Sequence, residues 1–201
     1  TLQLGKDLRR PAEGEVLRLT TDATSAPYLR AATLTAFDGK IWRPDIDRSE
    51  RLEGEGVIGS VTVDEGVRLT RYTTNIEVVN LLSNWLPVPY PAVQVSGLEG
   101  DWGVLSDNRT VVSRSGSTDA QTYTTVADVP RPTLEQIRAS KAHDTGVGAT
   151  SLPPNLPGIV QELAEETVAD ADNDFDRLMA LQSWFRGATF QYSLEAPVED
   201  D

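Results

Sequence analysis

The sequence has no cysteine, a single histidine and a single methionine among its 201 residues. Without cysteine, the chain cannot form disulfide bonds, thiolate metal sites or a cysteine nucleophile of its own. The absence of cysteine does not identify the cellular compartment, because many secreted domains have no disulfides. Any thiolate chemistry would require residues from outside this sequence.

Long apolar runs and clustered positive charge are also missing. No run approaches the roughly 20 apolar residues that span a bilayer, and no basic segment leads into an apolar one as in a signal peptide. The formal net charge is −13, which repels phosphate backbones and anionic lipid headgroups. We therefore expect no nucleic-acid partner and no direct membrane insertion by this segment, and no motif indicates a cofactor. The first residue is Thr1, so we expect a longer parent protein.

What is present is typical of a folded protein, with 39% hydrophobic and 24% charged residues. Residues 15–128 are dominated by runs rich in β-formers, separated by turn signals at the spacing of a sandwich or open barrel. The predicted strands are "EVLRLTT", "PYLRAATLTAF", "KIW", "GVIGSVTV", "GVRLTRYTTNIEVVN", "DWGVLS", "RTVVSR" and "QTYTTVAD". In the longest run, alternation places Tyr72, Thr74, Ile76 and Val78 on one face.

These patterns predict an α+β fold, in which a β-rich, sandwich-like or open-barrel-like domain is followed by a small helical segment. The predicted boundaries are 1–130 for the β-rich domain, 131–157 for a short helix and linker, and 158–201 for the helical segment. Asp38-Gly39 predicts a two-residue hairpin turn that pairs Phe37 with Lys40 and Ala36 with Ile41.

The stretch "WLPVPYPA" holds three prolines in five positions, which favour an extended connector rather than a central strand. Such a connector is either a crossover between sheets or a rigid exposed lip. Trp85 and Tyr90 within it are the best candidates for contacting a partner or substrate, since aromatic side chains often anchor ligands.

Three helices are predicted near the carboxyl end. The first runs from Leu134 to about Lys141 after Thr133 as N-cap, the second from Gly158 to about Ala171, and the third from Asp174 to Arg186. On the third, apolar residues cover more than half of the circumference, whereas packing on one neighbour needs a stripe of about 100°. We therefore expect a second packing partner for this helix.

Two motifs that suggest chemistry have simpler interpretations. The acidic run "DADNDFD" has Phe175 and Leu181 where a calcium-binding EF-hand loop needs glycine and glutamate. Capping of the following helix by Asp172, Asn173 or Asp174 is therefore favoured. His143 and Asp144 near Ser140 or Ser151 lack the pattern of a nucleophile elbow. We interpret His143 as a solvated loop residue and predict no catalytic residue and no metal ligand.

Three stretches together resemble the bacterial membrane-anchored transglutaminase-like proteins of the TgpA type. They are "YLRAATLTAFDGKIWRP" (Tyr28–Pro44), "NWLPVPYPA" (Asn84–Ala92) and "LPGIVQELAEETVADADNDFDRLMALQSWFRGATFQYS" (Leu156–Ser193). In that family, transmembrane helices precede an extracytoplasmic region that leads into a transglutaminase-like core, where a cysteine, a histidine and an aspartate carry the reaction. The resemblance places all three beyond Asp201, so none is transferred to this chain.

The resemblance implies a non-catalytic extracytoplasmic accessory region, tethered to the membrane in the parent protein, which positions or covers the catalytic core. Its expected partners are that core and the parent's transmembrane region, with envelope proteins or peptides as further candidates. Leu181, Trp184, Phe185 and Tyr192 are expected to form the face that docks on the core. The alternative is a stand-alone β-sandwich module that binds a peptide or an envelope polymer through Trp85 and Tyr90.

Overall fold

The computed structural model describes residues 14–39, 41–44, 48–143 and 150–190. Within these residues the chain forms two compact units. The β unit comprises 14–34, 44 and 48–131, and the helical unit comprises 35–39, 41–43, 132–143 and 150–190. The short stretches 35–39 and 41–43 therefore group with the helices, although they belong to the strand-rich half of the sequence.

The described residues contain twelve strands and three helices. The strands are β1 (Leu17–Thr21), β2 (Leu29–Arg30), β3 (Ala36–Phe37), β4 (Trp42–Arg43), β5 (Glu50–Arg51), β6 (Arg68–Val78), β7 (Trp85–Leu86), β8 (Val88–Pro89), β9 (Ala92–Ser96), β10 (Asp101–Leu105), β11 (Thr110–Ser115) and β12 (Thr122–Arg131). The helices are α1 (Leu134–Ala139), α2 (Gly158–Thr167) and α3 (Asp174–Phe185).

The β unit is built on two four-stranded antiparallel sheets. The first has the strand order β1-β6-β12-β9 and the second β5-β10-β11-β7, while β2 and β8 form a two-stranded ribbon. Buried side chains from both sheets belong to one hydrophobic cluster, so the sheets enclose a common core. Together with the three short helices near the carboxyl end, this confirms the predicted α+β fold with a β-rich first part.

Strand β6 supplies one wall of that core. Thr74, Ile76 and Val78 are buried, whereas Asn75 and Glu77 between them are exposed, as the period of two predicts. The largest buried partner on β12 is Tyr123, which lies opposite Ile76. Its hydroxyl group donates a hydrogen bond of 2.6 Å to the main-chain carbonyl of Pro87 and so joins β12 to the proline-rich segment.

Replacing Tyr123 by phenylalanine should destabilise the β unit and alter its response to alkali. The Pro87 carbonyl would lose its donor, and we expect about 1–3 kcal/mol less free energy of unfolding at pH 7. Burial raises the pKa of the Tyr123 hydroxyl group above its ordinary value. The folded protein thus holds this proton more tightly than the unfolded chain. The contribution of Tyr123 to the free energy of unfolding is therefore fully present below about pH 10 and decreases as the pH rises further.

Urea denaturation of the wild type and Tyr123→Phe between neutral pH and about pH 11 measures both effects. The variant should lose stability less steeply above about pH 10, because the phenol that holds its proton in the folded state is gone. Parallel curves for the two proteins above that pH would contradict this assignment.

The hairpin of β3 and β4 differs from the predicted register. Ala36 pairs with Arg43 and Phe37 with Trp42, so the predicted pairing of Phe37 with Lys40 and Ala36 with Ile41 is wrong. The pairing continues to Asp38 and Ile41, because the Asp38 main-chain N–H donates to the Ile41 carbonyl at 3.3 Å and the Asp38 carboxylate accepts a hydrogen bond of 2.8 Å from the Ile41 N–H. Asp38 thus belongs to the paired part of the hairpin, and the turn lies one residue further along the chain than the Asp38-Gly39 signal predicts.

The predicted strand "GVIGSVTV" is also wrong, since residues 56–63 contain only an isolated bridge from Val57 to Gln94. Gly56 and Gly59 both have positive φ angles, which interrupt the extended conformation. The segment nevertheless pairs with β9, because Ile58 donates to the Val93 carbonyl at 2.9 Å and Val95 donates to the Gly56 carbonyl at 2.9 Å. It therefore covers an edge of the first sheet without being a regular strand.

The proline-rich segment 85–92 is a crossover between the two sheets. It begins with β7 at the edge of the second sheet, passes through β8, and enters the first sheet at β9. Leu86 and Val88 are buried in the common core, so the alternative of a wholly exposed lip does not apply. Tyr90, which precedes a cis peptide bond to Pro91, is the exposed residue of the turn.

Helix capping in the helical unit follows the sequence closely. Thr133 caps α1, and Gln136 completes a capping box by accepting from the Thr133 main-chain N–H at 2.8 Å. Asn173 caps α3 by accepting from the N–H of Asp176 at 2.9 Å. The Thr133 cap was predicted, and of the three candidates Asp172, Asn173 and Asp174 for the cap of α3 the structure selects Asn173, because its side-chain oxygen satisfies a free N–H group of the first turn.

Candidate functional site

The acidic run before α3 makes contacts that cap and anchor the helix. Besides the Asn173 cap, Asp174 accepts a hydrogen bond of 2.8 Å from the main-chain N–H of Ala142 and binds Arg177 at 2.7 Å. The hydrogen bond from Ala142 is the largest cause that lowers the pKa of Asp174. No group of three or more histidine, aspartate or glutamate side chains suited to a metal ion occurs among the described residues.

His143 is exposed and gains no catalytic neighbours in the described residues of its unit. The Ser140 hydroxyl donates to the Ile137 carbonyl at 2.7 Å, a local bond at the end of α1, and Ser151 is exposed. Asp144 lies outside the described residues. The described residues from which a catalytic triad could be written, His143, Ser140 and Ser151, are thus all exposed.

Helices α2 and α3 expose a large share of their apolar side chains, and neither contains a buried residue. On α3, Leu181 and Trp184 are half-buried, while Phe185 is 59% and Leu178 62% exposed. The Trp184 ring makes edge contacts with Phe185 and Phe190, at centroid distances of 4.9 and 4.6 Å. We call Leu178, Leu181, Trp184 and Phe185 the aromatic face; Tyr192, predicted to belong to it, lies outside the described residues.

The β unit contains a pocket of about 290 Å³, which we call the tyrosine pocket. Tyr28, Tyr72 and Tyr90 line it together with Pro27 and Pro89. Its floor is the core-facing side of the neighbouring strands β6 and β12. The small side chains of Thr74 on β6 and Ala127 on β12 contribute to this floor. The pocket thus lies where the interior of the sandwich opens to solvent.

Charged groups frame two sides of this pocket. The Arg30 guanidinium lies over the Tyr90 ring, 3.6 Å from its centroid, and donates a hydrogen bond to the Asn108 carbonyl. Burial lowers the pKa of Arg30, and the interaction with Tyr90 partly offsets that effect. On the other side, Arg131 donates a hydrogen bond of 2.7 Å to the Tyr72 hydroxyl group.

The two residues that the sequence singled out on the proline-rich segment have different environments. Tyr90 is 52% exposed and lines the tyrosine pocket. Trp85 is half-buried, pairs with Val112 in the second sheet, and is not among the pocket residues. Contact of either residue with a partner stays a prediction.

Sequence reasoning missed Tyr28, Tyr72 and Arg131 as members of this pocket. Tyr72 carried a partial signal, because the alternation in β6 assigns it to the same face as Thr74, Ile76 and Val78. No sequence signal indicated Tyr28 and Arg131, since they approach Tyr72 and Tyr90 only through strand pairing across long sequence separations.

Comparison with known proteins gives a family and a fold. A family model described as the TgpA N-terminal domain matches residues 1–134. The crystal structure of the periplasmic domain of TgpA from Pseudomonas aeruginosa is similar with a TM-score of 0.65 at 16% identity, and its ethylmercury-bound form with 0.62 at 15%. The match covers 98% of this chain but 63% and 64% of those chains. No sequence among the curated proteins matches.

Proposed function

The chain belongs to the TgpA N-terminal domain family, and on this basis we propose that it is a non-catalytic, extracytoplasmic accessory region of a membrane-anchored, transglutaminase-like cysteine acyltransferase or hydrolase. In this role it positions or covers the catalytic core of its parent protein. The aromatic face on α3 is the observation that carries the proposal.

The absence of cysteine supports a non-catalytic role. Acyl transfer by a transglutaminase-like mechanism needs a thiolate nucleophile, and this chain has none. The proposed location follows from the similar fold of a TgpA region that is periplasmic in Pseudomonas aeruginosa. Among the described residues, none of the helices combines the length and apolar character required to cross a bilayer.

The aromatic face supplies a surface suited to the catalytic core. Leu178 and Phe185 expose more than half of their surface, beside the partly buried Trp184. Exposed apolar area of this kind is unfavourable in water, at roughly 25 cal/mol per Å², and is typical of interaction sites. Trp184 at the centre of this face is also of a residue type that is enriched among interface hot spots.

The test combines this chain with a separately produced catalytic core of a TgpA-type protein. We expect association measurable by calorimetry, and cysteine-dependent release of ammonia from a glutamine peptide that is found with the core and not with this chain alone. Leu178→Ser with Phe185→Ser should weaken association about tenfold or more, because both side chains would lose apolar contacts.

Glu162→Ser with Glu166→Ser provides the control, since both glutamates are exposed on the neighbouring helix α2. Circular dichroism establishes that each double variant is folded. The proposal fails if both double variants bind the core as tightly as the wild type, or if the isolated chain performs acyl transfer without a thiol.

A further inference from the structure

We infer that the tyrosine pocket is a binding site for an acidic, proline-containing peptide in an extended conformation. This inference goes beyond the accessory role proposed above. The pocket lies within the β unit and the aromatic face within the helical unit, so either assignment can fail while the other stands.

The size of the pocket favours part of a polymer over a complete small molecule. Sites that enclose a drug-sized ligand range from about 300 to 1,000 Å³. At about 290 Å³ the tyrosine pocket falls at the lower limit, which suits one or two side chains of a longer ligand. The remainder of such a ligand would extend over the surrounding surface.

The chemistry of the walls favours proline and other apolar side chains. Tyr28, Tyr72 and Tyr90 combine an apolar ring with a polar hydroxyl group, and Pro27 and Pro89 add rigid apolar surface. Grooves lined by aromatic residues recognise extended proline-rich segments, whose conformation is already ordered before binding. Tyr28 is 98% exposed, so its ring is available to a ligand without any rearrangement of the core.

The charge at one end of the pocket favours an acidic ligand. Arg131 lies directly opposite Arg68 in the β6–β12 register, where two like charges repel each other. Neither arginine forms an ion pair with a described residue. Arg71, on the same strand as Arg68, is by contrast neutralised by two 2.7 Å hydrogen bonds to Asp128. In a chain of net charge −13, this pair is a local concentration of positive charge that no acidic side chain of the described residues neutralises.

One edge of β6, which has no strand partner among the described residues over part of its length, favours a peptide over a saccharide. β1 pairs with β6 only from Thr74 to Val78, so the half of β6 from Arg68 to Tyr72 has a described strand partner on one side alone. Strand geometry directs the main-chain groups of Leu69 and Arg71 toward that open side. An extended peptide can hydrogen-bond to such an edge, whereas a saccharide has no matching main chain.

The test uses a fluorescein-labelled peptide of sequence Gly-Pro-Leu-Pro-Leu-Pro-Glu-Glu-Glu and measures fluorescence anisotropy. We expect a dissociation constant on the order of 10–100 μM, which is reasonable for a short flexible ligand. A counterpart with glutamine in place of glutamate, and another with glycine in place of proline, should each bind about tenfold more weakly.

Protein variants locate the site. Arg131→Gln and Tyr28→Ala should each weaken binding about tenfold, and thermal unfolding monitors their stability. Arg18→Gln removes the same charge from an exposed position on β1, and Leu82→Ala removes an exposed apolar side chain; both should bind like the wild type. Tyr28 is so exposed that its variant should fold normally even if Arg131→Gln does not.

Several results would overturn the inference. They are absence of binding up to about millimolar protein, equal affinity for the glutamate and glutamine peptides, or equal losses in Arg131→Gln and Arg18→Gln. Binding of tetragalacturonate, an acidic saccharide without prolines, is measured as well. If it binds with the same dependence on Tyr28 and the peptide does not, the pocket is a saccharide site.

Discussion

Gly56→Ala should destabilise the β unit by about 3–5 kcal/mol, the largest effect of any single methyl group that we foresee. Gly56 is buried with a φ of +71°, a conformation that costs L-residues about 1–2 kcal/mol. A β-carbon at this position would also overlap the main-chain carbonyl group of Val95. To relieve the overlap, the segment would have to move away from β9 and give up the bond from the Val95 N–H to the Gly56 carbonyl.

Gly54→Ala is the matched control for this prediction. Its φ of +59° imposes a similar conformational cost, but nothing lies within 4 Å of an added β-carbon. We expect a loss of about 1 kcal/mol, partly offset by the lower entropy of the unfolded chain. Urea denaturation of both variants separates strain from overlap, and similar losses in the two would show that the Val95 contact is not the cause.

Leu86→Ala is expected to have the second largest effect, a loss of about 2–5 kcal/mol in the free energy of unfolding. The Leu86 side chain has no exposed surface and belongs to the cluster that joins the two sheets. Its removal leaves a cavity whose lining loses van der Waals contacts, and a close-packed interior closes such cavities only in part.

The same substitution should disturb the tyrosine pocket. Leu86 anchors the crossover that continues through Val88 to Tyr90, so loss of this anchor should loosen one wall of the pocket and weaken peptide binding. Leu82→Ala, at a side chain 80% exposed, is the control and should change stability by less than about 0.5 kcal/mol. A Leu86→Ala protein as stable as this control would contradict the assignment of Leu86 to the core.

Long-range contacts explain why the segment 56–63 was predicted incorrectly. Its β-branched residues favour a strand, but Arg109 donates hydrogen bonds to the carbonyls of Gly59 at 2.8 Å and Ser60 at 2.6 Å. The same guanidinium donates to the Ala92 carbonyl at 3.0 Å and so links this segment to the start of β9. A side chain about 50 residues away thus satisfies main-chain groups that would otherwise require a strand partner.

The candidate sites were accessible to sequence reasoning to different degrees. The apolar surplus of α3 was visible in its periodicity, and Leu178, Met179 and Phe185 are indeed exposed. What covers this face stays a prediction, since packing on another polypeptide leaves no trace in local periodicity. Of the tyrosine pocket, the sequence indicated only Tyr90.

By itself, the sequence determined the strand-rich first part, the inner face of β6 and the cap at Thr133, and it limited the cap of α3 to Asp172, Asn173 or Asp174. Each depends on residues a few positions apart, whose alternation or hydrogen bonding holds in almost any tertiary context. Tertiary structure alone decided the irregular edge beside β9 and the meeting of Tyr28, Tyr72 and Tyr90. These features require segments tens of residues apart to pack against one another, and their geometry follows from the closure of the whole sandwich rather than from any local pattern.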